Sequence, residues 1–178
     1  MSELSVRAAT LGDLPSIVEL RLALLREYRD HPFYAQLRPD VNERAYELYR
    51  SQVTSPYEAI FLARRDKEVV GVLRCVETHG SPVLLPERYC YVSSVYVIPR
   101  ERKRGVLRAM MAAAERWCDE RGLAEMRLHN SATSPDARAA WVSLGFEVVE
   151  EVRRRIIHPD DPARTSQGEH RTTHARAR

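Results

Sequence analysis

Residues Val95–Met111 read VYVIPRERKRGVLRAMM. An apolar run stops at Pro99, a basic turn follows, and a helical pattern begins beyond Gly105. The turn sets Arg100, Arg102, Lys103, Arg104 and Arg108 against the single acid Glu101. Three readings fit this stretch alone: a patch for nucleic acid, a phosphate-holding turn, or the solvated start of a helix. Cations at a helix N-terminus oppose the macrodipole, at roughly 0.3–1 kcal/mol each where exposed. A chain that sets several there either tolerates the cost or recruits an anion. Free amides at such an end form a ready phosphate site, and Gly105 lets an anion come close to the backbone. Two nucleotide motifs are excluded, because the chain has no G-x-x-x-x-G-K-[ST] and no G-x-G-x-x-G after a strand.

Working outward, the period alternates between helix and strand. LSVRAAT near the N-terminus alternates like a strand, and a helix follows over residues 11–30, with Asp13 placed to cap it and Pro15 in its first turn. HPFYAQLRPD is a loop, and VNERAYELYRSQV a second, more polar helix. EAIFLARR and EVVGVLRCVET are strands joined by the hairpin-like RDKE, and YCYVSSVYVIP is the strand that enters the basic turn. The helix after Gly105 carries Val106, Met110, Ala113 and Trp117 on its apolar face, widened by Leu107, Met111, Ala114 and Cys118. AEMRLHN predicts a strand, SPDARAAWVSLG a helix capped by Ser134, and FEVVEEVRRRIIH one or two closing strands. The order β, α, α, β, β, β, α, β, α, β predicts one α/β domain with a mixed sheet over residues 1–157. Residues 158–178 are polar and aperiodic, and a flexible tail is expected there.

Bulk composition narrows the classes. At 178 residues, 44% hydrophobic and 30% charged, the chain is of ordinary globular type. A net charge of +3 is small for a dedicated nucleic-acid binder. Cys75, Cys90 and Cys118 lie in apolar runs without the paired spacing of a metal site, so buried thiols in a reducing compartment are expected, and no metal. With neither a signal peptide nor a membrane span in the pattern, a cytoplasmic protein is the expectation.

The element order, and the basic turn within it, resembles the GNAT superfamily of N-acetyltransferases. In that family a strand ending in Val-x-Pro leads into [Q/R]-x-x-G-x-[G/A] at the start of the main helix. Val97 and Pro99 match the strand end, Arg102 the first motif position and Gly105 the glycine, while Leu107 stands where the family has Gly or Ala. A second match is SPDARAAWVSLGF against N-x-x-A-x-x-x-Y-x-x-x-G-F. Ala137, Gly145 and Phe146 fit, with Ser134 for the Asn and Trp141 for the Tyr. LSVRAATLGDLPSIVEL is similar to the family's opening strand and helix, so the likeness covers most of residues 4–157. It implies a central mixed, mostly antiparallel twisted sheet of six to seven strands flanked by about four helices.

The resemblance also implies acetyl-CoA as co-substrate. Amides from Lys103, Arg104, Gly105, Val106, Leu107 and Arg108 would hold its pyrophosphate, with the cations adding charge. The backbone of Val95, Tyr96 and Val97 would pair with the pantetheine arm, and Ser134, Ala137 and Trp141 would flank the coenzyme. The Leu107 side chain would either crowd the pyrophosphate or turn onto the apolar face with Met111.

Acetyl transfer to an amine needs a lost proton, a stabilised oxyanion and a leaving thiolate. Strand amides serve the oxyanion. Trp141, whose indole has no labile proton, reads as a packing residue or acyl-pocket wall rather than an acid. Relatives with a base often place Glu or His at positions matching Tyr91 and Ser93; a free tyrosine, with a pKa of about 10, is a poor base at neutral pH. Glu77 and His79 are alternative bases, and Glu58, Glu87 and His129 are set behind these. Substrate contacts are expected from Tyr28, His31, Phe33 and Tyr34 in one irregular stretch and Tyr89 in another, although the aromatic cluster fits a core role equally. The leading expectation is an N-acetyltransferase acting on a small-molecule or protein amine. The alternatives are a non-catalytic acyl-CoA-binding domain and a nucleic-acid-binding module. Dimers are common in the family, so the resemblance leaves a homodimer open, while the sequence does not decide the oligomeric state.

Overall fold

The computed structural model describes residues 3–157. Its sheet is built where the sequence period changes, from Tyr57 onward, with one strand contributed by the N-terminus. The elements are β1 (Leu4–Ala8), α1 (Leu14–Glu27), α2 (Val41–Val53), β2 (Glu58–Arg65), β3 (Glu68–His79), β4 (Arg88–Val97), α3 (Val106–Asp119), β5 (Met126–Leu128) and α4 (Pro135–Ser143). Short 3-10 turns precede α1 and follow β4. The sheet order is β1-β2-β3-β4-β5, with antiparallel neighbours until β5, which runs parallel to β4. The expected α/β class, mixed sheet and four α-helices are present.

The strand count is not as expected. Among the described residues there are five strands rather than six to seven, and 146–157 forms none. In that stretch Val148, Val149, Val152, Ile156 and Ile157 occur as doublets and a singlet between charged residues, so no single face would be apolar, and all five are exposed. Arg154 reaches the loop after α1 instead, donating to the Pro32 carbonyl at 2.6 Å and lying 5.9 Å from the centre of the Phe33 ring. The expected tail, 158–178, lies outside the described residues.

Two apolar layers sandwich the sheet. Alternation along β2 sends Phe61 and Ala63 to one face and Ile60 and Leu62 to the other. On the first face α3 buries Val106, Met110, Met111, Ala113, Ala114, Trp117 and Cys118 against Leu73, Cys75, Cys90 and Val92, as its periodicity requires. The three cysteines are free and buried here. Gly71 lets α3 sit close, since a Cβ there would lie 3.1 Å from the Met110 methyl and 3.2 Å from Val106. On the second face α1 and α2 bury Ile17, Val18, Leu20 and Tyr49 against Leu62, Val72 and Tyr96. Each large aliphatic side chain among them contributes about 1.5–3 kcal/mol.

Asp13 does not cap α1. Its carboxylate turns back to accept from the Thr10 amide at 2.8 Å and from the Arg7 guanidinium at 2.7 and 2.8 Å, tying β1 to the turn before α1.

A bulge in β4 sets the facing of its C-terminal half. Between the pairs Arg74↔Ser93 and Val72↔Tyr96, β4 advances three residues while β3 advances two. Ser94 and Val95 thus stand opposite the single residue Leu73, and Ser94, at φ +54°, lies in the left-handed region. The bulge exchanges faces: Cys90 and Val92 lie on the α3 side, whereas beyond it Val95 and Val97 pack there and Tyr96 packs toward α1.

Candidate active site

β4 and β5 form a fork. Their ladder runs only from Cys90↔Met126 to Val92↔Leu128, so past Val92 the described residues leave that edge of β4 unpaired. The Ile98 amide donates inward to the Val70 carbonyl at 3.0 Å. Alternation along the strand therefore directs the Val95 and Val97 amides to the open edge. The Val97 carbonyl, on that same edge, accepts from Arg102 Nε at 3.0 Å.

The basic turn joins this edge to α3. Lys103 (φ +59°) and Gly105 (φ +81°) are left-handed, a conformation that glycine adopts without steric cost. The first backbone bond of the helix is Ala109 N–H to Gly105 O at 3.0 Å, which leaves the amides of residues 106–108 at the helix start. A Cβ on Gly105 would meet nothing within 4 Å, so the space beside these amides is open. Beneath the turn Glu101, 5% exposed, accepts from Arg65 and from Arg104, each at 2.6 Å.

The turn's cations are largely spoken for. Arg100 pairs with Glu68 and Arg104 with Glu101, while Arg102 donates to Glu27 at 2.6 Å and its guanidinium lies 5.5 Å from the Tyr96 ring centre. The Arg102 guanidinium is thus a strut between α1 and β4. Lys103, 3.6 Å from Asp136, belongs to an ion pair exposed on both sides. Leu107 packs partly buried against the α3-side core, away from crowding the helix start.

At the other candidate coenzyme contacts, Ser134 Oγ caps α4 by accepting from the Ala137 amide at 3.4 Å, and the Tyr28 hydroxyl donates to it at 3.5 Å. Trp141 and Phe146 pack edge to face, 5.4 Å apart, on the α3-side core.

The α1-facing side of the fork gathers a second set. Strand alternation puts Arg74 on β3 and Tyr89, Tyr91 and Ser93 on β4 together there. Arg74 donates to Glu58 at 2.6 Å and to Ser93 Oγ at 3.2 Å. The Tyr91 hydroxyl lies 2.7 Å from His129 Nδ1. Burial first, and then the neighbouring Tyr34 and Tyr89, push the Tyr91 phenol above its ordinary value, so it keeps its proton at neutral pH. From the loop after α1, Tyr28, His31 and Tyr34 form a ring cluster, with His31 stacked on Tyr34 at 4.7 Å and Tyr28 edge-on to both. Phe33, edge-on to His31, is exposed, and Tyr89 lies under Arg127 at 4.0 Å.

Glu77 is not brought to this group. It follows Cys75 by two residues and so faces the α3 side, where Arg88 holds it at 2.5 Å and Arg121 lies 4.0 Å away. Arg74, Arg127 and His129 join this group, none of them a leading candidate from the sequence. Alternation from Cys75 would have flagged Arg74, but nothing local pairs Tyr91 with a residue 38 positions on. Among the described residues, no three or more His, Cys, Asp or Glu side chains gather as a metal site.

The open edge and the turn at the helix start coincide with a family match: the model for "Acetyltransferase (GNAT) family" covers residues 21–146. The chain belongs to the GNAT family. Aminoglycoside N(6')-acetyltransferase type 1 of Stenotrophomonas maltophilia is 30% identical over 156 residues, covering 83% of this chain and 89% of the relative. The protein of the same name from Salmonella typhimurium strain LT2 is 29% identical over 101 residues, which span 53% of this chain and 66% of the relative. Among solved structures, aminoglycoside N-acetyltransferase AAC(6')-Iy in complex with CoA superposes with a TM-score of 0.73 at 22% identity, covering 88% of this chain and 95% of that one. That likeness establishes the GNAT fold, and the relatives share the expected class of acetyltransferase. No helix among the described residues is long and apolar enough to cross a membrane.

Proposed function

We propose that this GNAT protein moves the acetyl group of acetyl-CoA to a primary amine of a small molecule, by direct attack of the amine on the thioester. The observation that carries the reading is the fork: an open strand edge past Val92 that leads, through a glycine-containing turn, to free amides at a helix start. An extended pantetheine arm would pair with the Val95 and Val97 amides as an added strand. The pyrophosphate would rest on the amides of residues 106–108, with Lys103 and Arg108 as the nearby cations. The acceptor would enter from the α1 side, past Tyr28, His31, Tyr34 and Tyr91. Relatives named for aminoglycoside acetylation favour a small-molecule acceptor over a protein.

The charge pattern argues against a nucleic-acid role, since most cations of the turn are already matched by carboxylates. Trp141, packed on Phe146, favours a second reading in which the coenzyme binds without turnover. Thiol release from acetyl-CoA, measured with an aminoglycoside bearing a free 6'-amine, spermidine and an amino-acid amide, decides between them. Steady release that depends on one amine is the expected result. Saturable acetyl-CoA binding with no release would transfer the reading to a non-catalytic binder. A cytoplasmic location and a homodimer belong to the same proposal.

A further inference from the structure

The hydrogen bond between Tyr91 and His129 stands at the mouth of the fork. The β4–β5 ladder ends at Leu128, and His129 is the next residue, so its imidazole spans the point where the strands part. The two rings are tilted at 59° with centres 5.6 Å apart, and the hydroxyl meets Nδ1 at 2.7 Å. Tyr91 is half-buried and faces the proposed acceptor groove, whereas His129 is exposed. The pair thus runs from groove to solvent.

The neighbouring carboxylates are engaged elsewhere. Glu58 is held by Arg74, and Glu77 lies on the opposite face with Arg88 and Arg121. The groups that face the pair are Arg74 from β3, Tyr89 from β4, Arg127 with its partner Glu125 at the edge by β5, and Tyr34 from the loop after α1. None of these is a free carboxylate.

We propose that Tyr91 and His129 form a proton relay that converts the acceptor's ammonium group to the attacking amine. The inference rests on the acetyl-transfer reading above. An N–H bond of the ammonium breaks and its proton passes to the Tyr91 oxygen. The Tyr91 O–H bond breaks at the same time, and that proton passes to the lone pair of His129 Nδ1. The phenol is restored, the ammonium becomes a neutral amine and the imidazole becomes imidazolium, which returns its proton to water. Tyr91 touches the acceptor, and His129 acts through it.

The test is the pH profile of kcat/KM for thiol release, over about pH 5.5 to 9, with the three amines named above. The wild type is expected to show an acid limb within roughly pH 5–8, where imidazole changes charge. His129→Gln, which keeps a hydrogen-bonding group but cannot titrate, is expected to abolish that limb and lower kcat/KM about 10²-fold at neutral pH. Tyr91→Phe should do the same, the double variant should be no worse than either single one, and acetyl-CoA affinity by calorimetry should stay unchanged. Turnover with the acid limb intact in both variants overturns the relay alone. If no amine releases thiol above the blank, acetyl transfer and relay fall together.

Discussion

Gly105 is the residue on which the proposed coenzyme site turns. Its left-handed backbone and the open space beside it leave the helix-start amides approachable. A Gly105→Ala change meets no steric contact and costs only the backbone conformation, about 1–2 kcal/mol of stability. Gly105→Glu adds a carboxylate where the pyrophosphate is proposed to lie. Calorimetry with acetyl-CoA should show at least a tenfold loss of affinity, about 1.4 kcal/mol; an unchanged affinity would put the pyrophosphate elsewhere. Leu107 departs from the family pattern without obstructing the turn, because its side chain is drawn into the core beside α3. Trp141 departs in a way that matters more, since an indole packed on Phe146 brings no labile proton to the reaction.

Among the elements, β1 and α1 are joined by a charge contact whose pH dependence can be followed. Arg7, by its hydrogen bond, holds the Asp13 carboxyl well below the usual carboxylate range, assisted by Thr10 and opposed by burial. A carboxyl depressed in the folded state contributes stability in full above its unfolded value of about 3.9; the contribution shrinks as pH falls below that value and is gone only once pH has passed the depressed folded value. The contact is partly exposed, so its worth is about 1 kcal/mol. Asp13→Asn should therefore lower Tm by roughly 2–4 °C at neutral pH, with the gap narrowing steadily as pH falls below about 4. A gap that stays unchanged in acid would show that the charge is not what the contact supplies. At the same scale the β4 bulge has a larger consequence, because it turns Tyr91 and Ser93 toward α1 while Val95 and Val97 keep their side chains on the α3 core.

Across the whole molecule, α3 covers one sheet face and α1 with α2 the other, so the fork opens between two independently packed layers. The basic turn lies at its rim with most of its charge matched. Titration with duplex DNA at about 150 mM salt should give no saturable binding, and a tight complex with a steep salt slope would mean the turn had been misread. The strand–turn–helix unit was legible in the sequence because period, Pro99, Arg102 and Gly105 act over a few consecutive residues. The four α-helices and the α3 core face were legible for the same reason. The expected last strand failed because β-type residues that do not alternate cannot share one buried face. The bulge at Ser94, the Arg74–Glu58 contact, the displacement of Glu77 and the Tyr91–His129 bond all depend on strand register between distant residues. Local chemistry along the chain thus determined the strand–turn–helix unit at Gly105 and the elements around it. Which side chains meet at the fork was decided only by tertiary structure, because pairing register is set by the packing of both sheet faces at once.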